Sequence, residues 1–289
     1  MVFYPGLIYF TGRFLTETLF IFLYLLSIYI LVKASDYKQI FLGSCIMGLS
    51  ILTRSNGILF VPFVVIWYAF SKRKKEFLKN SAVFMLGISC SILPWTLRNY
   101  VVHGRFVMLT TNGGVTFCLG NNRTSKGGYL EGSWGQALGF KPDFVYLPSR
   151  IPMWIGLSEI ESDRKFYKIA FQWIKNNPKR FLALIPQKFL RMWSPFTTST
   201  VDIARKYRLV YALFFTIVLG CGIWGFLISL RRWREFVLIY AVFVTFTICG
   251  LIFYGSTRLR SPADAFLILF MGIALENVYS KIFEKRAES

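Results

Sequence analysis

Long apolar segments, separated by short charged stretches, are the feature of this chain that most constrains its fold. Seven are visible, at residues 14–33, 39–53, 56–71, 80–96, 208–230, 234–255 and 262–282. A helix that crosses a bilayer needs about 20 mostly apolar residues, and most of these segments reach or approach that length. The hydrophobic content of 55% also exceeds the roughly 45–50% of soluble domains, a range that counts glycine as well. The sequence therefore predicts an all-α polytopic membrane protein with about seven transmembrane helices.

The positions of lysine and arginine predict how these segments are oriented. Cytoplasmic loops of membrane proteins are enriched in both residues. If the segments alternate in direction, the basic clusters at their ends fall on one side: Lys33, Lys38, Lys72, Arg73, Lys74, Lys75, Lys79, Arg231, Arg232, Arg234, Lys281, Lys285 and Arg286. We therefore expect a multi-pass protein of the cell membrane with its amino terminus and residues 97–207 outside the cytoplasm. The chain then divides into N-terminal transmembrane helices (1–96), an external region (97–207) and C-terminal transmembrane helices (208–289).

The external region, residues 97–207, contains most of the turn signals. Glycines punctuate its first half, where residues 106–110 and 114–119 are predicted to form short strands. Apolar residues at helical spacing over 166–174 predict a helix that ends at an Asn-Pro pair. Residues 181–193 combine large apolar side chains with two cations, a pattern typical of a helix in the membrane interface. We expect a small mixed segment followed by two helices that lie along the bilayer.

The net charge of +20 indicates membrane orientation rather than nucleic-acid binding, because the charges lie between apolar segments. Many basic residues remain in the external region, which suggests an anionic partner such as a phosphate or a lipid headgroup. A solvated or headgroup-facing surface is the alternative. The five cysteines and the single histidine show no metal-ligand spacing. No cofactor or metal ligand is therefore assigned, and the use of a divalent metal is left open.

Charged residues at the ends of apolar segments are costly in a membrane and are candidates for function. Five of them share the predicted outer face: Glu17, Arg54, Arg98, Arg258 and Arg260. Four cations and one carboxylate at one depth can bind a phosphate and supply an acid or a base. The alternatives are that Arg54 and Arg98 only extend to the interface and that Glu17 forms a structural ion pair. Asp264 is interpreted as a residue near the positive start of a helix.

A series of short motifs resembles a known family. The motifs are Leu15-Thr16-Glu17, Gly48 to Arg54, Leu93 to Tyr100 with His103-Gly104, Thr111 to Gly114, Gly120-Asn121-Asn122, Asn177-Pro178 and Arg258 to Pro262. In order and spacing they resemble the family 39 membrane glycosyltransferases, which use polyprenyl-phosphate sugars and include protein O-mannosyltransferases and lipid A aminoarabinose transferases. The resemblance implies a C-type glycosyltransferase-like fold.

The resemblance also implies an activity, which is transfer of a sugar with inversion from a polyprenyl-phosphate donor to an external glycan, lipid or protein. The implied partners are this donor and membrane lipids. The implied site has Glu17 as the base, phosphate-binding residues Arg54, Arg98, Arg258 and Arg260, and substrate-loop residues Asn112, Asn121 and Asn122. The family's acidic first external loop has no counterpart here, so we expect this chain to lack the amino-terminal part of a family member. Such a chain should bind a polyprenyl-phosphate but transfer sugar poorly. The alternatives are a non-catalytic membrane subunit and a transporter of lipid-linked sugars.

Overall fold

The computed structural model describes residues 4–12, 15–70, 74–129, 133–146, 152–196 and 205–287. About 80% of this described part is helical. Lys72 and Arg73 of the predicted cytoplasmic cluster lie outside these ranges.

The helices form an N-terminal group, a middle group and a C-terminal group. The first contains α1 (Pro5–Thr11), α2 (Glu17–Lys33), α3 (Tyr37–Thr53), a 3₁₀ helix (Ser55–Phe60), α4 (Val61–Phe70), a 3₁₀ turn (Lys74–Glu76) and α5 (Phe77–His103). The second contains α6 (Gly113–Gly120), α7 (Trp134–Leu138), the antiparallel pair β1 (Phe144–Tyr146) and β2 (Pro152–Trp154), α8 (Glu159–Asn176) and α9 (Pro178–Met192). The third contains α10 (Arg205–Ser229), a 3₁₀ turn (Leu230–Arg232), α11 (Trp233–Ile252) and α12 (Thr257–Ala287).

Three helical stretches of the described chain are long and apolar enough, by length and composition, to cross a membrane. They are Phe77–His103, Tyr207–Ile252 and Thr257–Ile282. The second stretch folds back on itself at the 3₁₀ turn. The rings of Phe226 and Tyr240 show this, since their centres lie 4.9 Å apart, whereas a straight helix would separate the two residues by about 21 Å. The helices α2 and α3 have 17 residues each. The prediction of a helical membrane protein is confirmed at this level.

Small residues bring α3 and α5 into direct contact. A Cβ atom at Gly48 would lie 2.6 Å from the Cβ of Ser91, and one at Gly87 would lie 2.6 Å from the Cβ of Ser44. The Ser91 hydroxyl donates a hydrogen bond of 2.9 Å to the carbonyl oxygen of Cys45. Lipid tails are as apolar as leucine, so close backbone approach and interhelical hydrogen bonds, rather than the hydrophobic effect, hold such helices together.

The contact between α10 and α12 depends on a glycine. A Cβ atom at Gly225 would overlap the carbonyl oxygen of Phe270, whereas one at Gly220, on the same helix, would meet no atom within 4 Å. Beside this contact, aromatic side chains fill the centre of the bundle. Phe20, Tyr24, Phe60, Phe246 and Phe266 are fully or almost fully buried there.

Three predictions about local structure are wrong. Residues 114–119 lie in α6 and not in a strand, because the carboxylate of Asp163 accepts a hydrogen bond from the Gly114 amide near the start of that helix. Residues 106–110 are not a strand either, and the only strands of the described chain are β1 and β2. Asp264 is not a helix-start residue, because α12 begins two turns earlier, at Thr257. The predicted helices over 166–174 and 181–193 are confirmed as parts of α8 and α9.

We expect Gly225→Ala to destabilise the protein and Gly220→Ala, its matched control, to leave it unchanged or more stable. Alanine favours a helix over glycine by about 1 kcal/mol at either position. At Gly225 the added methyl group overlaps the Phe270 backbone, and overpacking typically costs about 1–3 kcal/mol. Thermal unfolding of the two detergent-purified variants measures the difference, and equal melting temperatures would contradict direct backbone contact between α10 and α12.

Candidate functional site

A cleft of about 810 Å³ opens at one end of the helix bundle, beneath the middle group of helices. The bundle contributes the end of α3, the end of α11 and the start of α12 to its walls. Residues 106–113 and one face of α8 form the facing wall. Helix ends and loops present polar backbone groups that have no partner within the helix. The walls of the cleft therefore combine polar groups with apolar side chains such as Ile51, Trp95 and Phe253.

Glu17 is the anchor of the cationic wall of this cleft. It is the first residue of α2 and has no exposed surface. Its Oε1 atom forms ion pairs with Nη1 of Arg54, at the end of α3, and with Nε of Arg258, at the start of α12. Its Oε2 atom has no hydrogen-bond partner within the described residues. One buried carboxylate thus joins the consecutive helices α2 and α3 to α12, which lies far from them in the sequence.

Both arginines of this cluster line the cleft, whereas Glu17 lies behind them. The side chain of Arg54 is 13% exposed and that of Arg258 is 45% exposed. Two guanidinium groups against one carboxylate leave a net positive charge on the wall. A positively charged surface attracts ions of the opposite sign, so this wall of the cleft is suited to an anion. The predicted proximity of Glu17, Arg54 and Arg258 is found in the structure.

Arg260 lies elsewhere, which corrects its predicted place in the same site. Residues two apart point about 200° apart around a helix, so Arg258 and Arg260 face opposite sides of α12. The guanidinium of Arg260 is fully buried and donates to the Asp264 carboxylate at 2.7 Å, the Met192 carbonyl at 2.8 Å and the Tyr211 hydroxyl at 2.6 Å. Arg260 therefore joins α12 to α9 and α10 and has no surface left for a phosphate.

Arg98 is exposed near the carboxyl end of α5, and no ion pair joins it to Glu17 within the described residues. Its guanidinium lies 5.1 Å from the ring centre of Trp95 and donates to the side chain of Asn99 at 3.2 Å. Trp95 itself lines the cleft. Arg98 thus lies beside the cleft wall rather than on it, which corrects the prediction that it shares the phosphate-binding site.

Of the three predicted substrate-loop asparagines, the structure places only Asn112 on the cleft. Its side-chain oxygen accepts a hydrogen bond of 2.7 Å from the Thr110 hydroxyl. Asn121 and Asn122 are buried, which corrects their predicted role. The Asn122 amide donates to carbonyl oxygens within α6, and the Asn121 amide donates to the carbonyl oxygens of Phe117 and Ile252. Both asparagines hold the end of α6 in place.

Lys188 is a buried cation that the sequence pattern assigned only to a membrane-facing helix. Its ammonium group donates to the side-chain oxygen of Asn121 at 2.7 Å and to the carbonyl oxygen of Leu251 at 3.0 Å. A Cβ atom at Gly255 would overlap the Lys188 backbone, so only glycine allows the approach. A cation at the carboxyl end of a helix is favoured by the helix dipole. Lys188 therefore connects α9 and α6 to the end of α11.

Asp163, on α8, is a carboxylate on the cleft wall that sequence reasoning missed. Its Oδ1 atom accepts a hydrogen bond of 2.5 Å from the Gly114 amide. Burial raises the pKa of the Asp163 carboxyl, although hydrogen bonds from the amides of Gly114 and Val115 act in the opposite direction. The Ser158–Glu161 capping box marks the start of α8 in the sequence, but the contact of Asp163 with α6 is tertiary and leaves no local signal.

No cluster of three or more histidine, cysteine, aspartate or glutamate side chains suited to a metal ion occurs within the described residues. Comparison of the chain with protein-family models, curated proteins and solved structures finds no match.

We expect Lys188→Met to lower the free energy of unfolding by roughly 3 kcal/mol, because it leaves buried oxygen atoms without their donor. Lys179→Met is the matched control, since Lys179 is exposed on the same helix. Thermal unfolding in detergent compares the two variants. A Lys188→Met protein as stable as the control would contradict the connecting role.

The contribution of Lys188 should also depend on pH. Burial lowers the pKa of its ammonium group to about 8, whereas an unfolded lysine has a pKa of about 10.4. Between these values the unfolded state binds more protons, so stability rises with pH. The melting temperature of the wild type, relative to that of Lys188→Met, should therefore increase from about pH 7 to about pH 9. If the melting temperature of the wild type relative to that of Lys188→Met falls over this pH range, the lowered pKa of Lys188 is contradicted.

Proposed function

We propose that this protein binds a polyprenyl-phosphate-linked sugar, with the phosphate on the cationic wall formed by Arg54 and Arg258. The observation that carries the proposal is the geometry of these two arginines, which come from different helices, face one cleft and are held by the same buried carboxylate. Arginine binds phosphate through charge-assisted hydrogen bonds. The apolar bundle beside the cleft offers a surface for the lipid tail, and the motif resemblance favours the same ligand.

The reaction that fits this placement is glycosyl transfer to an external acceptor. The acceptor attacks the anomeric carbon, the bond from that carbon to the phosphate oxygen breaks, and the lipid phosphate leaves. Arg54 and Arg258 would stabilise the negative charge that grows on the leaving phosphate. Glu17 is better suited to positioning these arginines than to removing a proton, since it lies behind them without exposed surface.

The position of Glu17 also favours a second candidate function, that of a non-catalytic lipid-binding subunit. With Glu17 engaged by two arginines, the cleft lacks the base that the sequence predicted. A transporter is less well supported, because transporter sites lie near the bilayer midplane, whereas the cluster here is at helix ends. Release of sugar from the bound lipid distinguishes the enzyme from the subunit.

We further propose seven membrane spans, formed by α2, α3, α4 with its preceding 3₁₀ helix, α5, α10, α11 and α12. The cleft gathers the start of α2 and α12 and the ends of α3 and α11 at one end of the bundle, as alternating spans require. The amphipathic helix α9 exposes Leu182 and Leu190 together with Lys179 and Arg180. This mixture suits the headgroup layer of the outer membrane face.

We expect Arg54→Gln and Arg258→Gln each to weaken binding of undecaprenyl phosphate by about tenfold, the magnitude of a lost charge-assisted hydrogen bond. Arg232→Gln is the matched control, because Arg232 pairs with Glu235 on the surface, at the turn between α10 and α11. Binding is measured with the purified protein in lipid nanodiscs. If both cleft variants bind as well as the control, the phosphate does not lie on this wall.

We expect a cysteine at Gln136 to react with a membrane-impermeant maleimide in intact cells, and a cysteine at Lys79 to react only after permeabilisation. Both residues are exposed, in α7 and at the start of α5. The native cysteines are replaced by serine for this experiment. Labelling of position 79 from outside would overturn the proposed orientation.

A further inference from the structure

A smaller pocket of about 160 Å³ adjoins the cleft and shares part of its wall. Thr110, Thr111, Asn112 and Asp163 line both spaces, so the pocket is a side compartment of the same site. It is larger than a single water molecule requires, and it is much smaller than the cleft. The compartment therefore fits a compact polar group rather than a lipid chain.

The walls of this side pocket combine polar and apolar groups. Glu159 and Asp163 contribute carboxylates, and the Thr111 hydroxyl donates to Glu159 Oε2 at 3.0 Å. Met153 and Phe166 contribute an apolar surface. Pockets with a largely apolar lining and a few placed polar groups are the usual sites for small molecules. A sugar ring, with hydroxyl groups at its edge and C–H groups on its faces, matches this combination.

The charges on the two sides of the site are different. Arg54 and Arg258 give the wall over the bundle a positive charge, whereas the side pocket has two carboxylates and no arginine or lysine among its described lining. Arg164, beside Asp163, lines the cleft but not the pocket. A phosphate is repelled by the carboxylates, while hydroxyl groups can donate hydrogen bonds to them. The arrangement thus separates a place for the phosphate from a place for hydroxyl groups.

Asp163 lies at the junction of these two places and is held rigidly. The Gly114 amide binds its Oδ1 atom, and a Cβ atom at Gly114 would overlap the Asp163 carbonyl oxygen, so α6 and α8 are in direct contact here. A carboxylate fixed by backbone amides loses little freedom when it binds a ligand. We propose that Asp163 contacts the sugar of the polyprenyl-phosphate sugar and that the side pocket is its sugar subsite. This inference rests on the proposed function.

The experiment compares two classes of probe in nanodiscs: undecaprenyl phosphate, and undecaprenyl phosphate carrying mannose, glucose or N-acetylglucosamine. We expect at least one sugar to increase the affinity of the wild type over the sugar-free lipid. Asp163→Asn keeps an oxygen for the Gly114 amide and removes the charge. It should weaken binding of that sugar-bearing lipid by about tenfold and change binding of undecaprenyl phosphate less than about twofold.

Glu161→Gln is the matched control, because Glu161 lies on the same helix, has a side chain that is 42% exposed, and can keep its capping interaction as glutamine. Met153→Trp narrows the pocket without altering Asp163 and should remove the increase in affinity that the sugar provides. This second variant keeps the inference testable if Asp163→Asn fails to fold. The subsite is overturned if no sugar adds affinity in the wild type, or if Asp163→Asn weakens both classes of lipid equally. If the wild type binds neither class, the proposed function fails as well.

Discussion

The carboxylate of Glu17 is the constraint on which the arrangement of the site depends. It is buried where α2, α3 and α12 meet, and it holds Arg54 and Arg258 against the cleft. Breaking a buried ion pair by removing one partner leaves an uncompensated charge and is strongly destabilising. Here the carboxylate has two partners, so its loss would leave two guanidinium groups facing each other. The same ion pairs therefore hold α2, α3 and α12 together and form the cationic wall of the cleft.

Direct contacts between helix backbones position the other helices of the molecule. Glycines allow α3 to touch α5 and α10 to touch α12, and Gly114 allows α6 to touch α8. Such contacts depend on the absence of a side chain, so they fix the relative positions of helices more tightly than long apolar side chains do. Helices α6 and α8 are thus held in a defined position over the cleft, and Asp163 lines the same space as the arginines.

The fold was predictable from the sequence where a signal is local. Apolar length marked the helices of the bundle, and the pattern of apolar residues and cations marked α9. Because Glu17, Arg54 and Arg258 were predicted to lie at the same depth in the membrane, their contact could be expected. Depth alone, however, does not fix direction around a helix, which is why Arg260 was grouped with Arg258 although it faces the other way. Asp163 was missed because its importance comes from α6, a partner about 50 residues earlier in the chain.

The position of Lys188 has a consequence for how the protein is made. Its acceptors include the carbonyl oxygens of Leu251 and Ile252 at the end of α11, which the ribosome adds 63 and 64 residues after Lys188. Until α11 has been synthesised and inserted, the Lys188 ammonium group must stay in water or among lipid headgroups. Helix α9 can therefore complete its packing against α11 only late in biosynthesis, and the cleft is complete only when α12 brings Arg258 to Glu17.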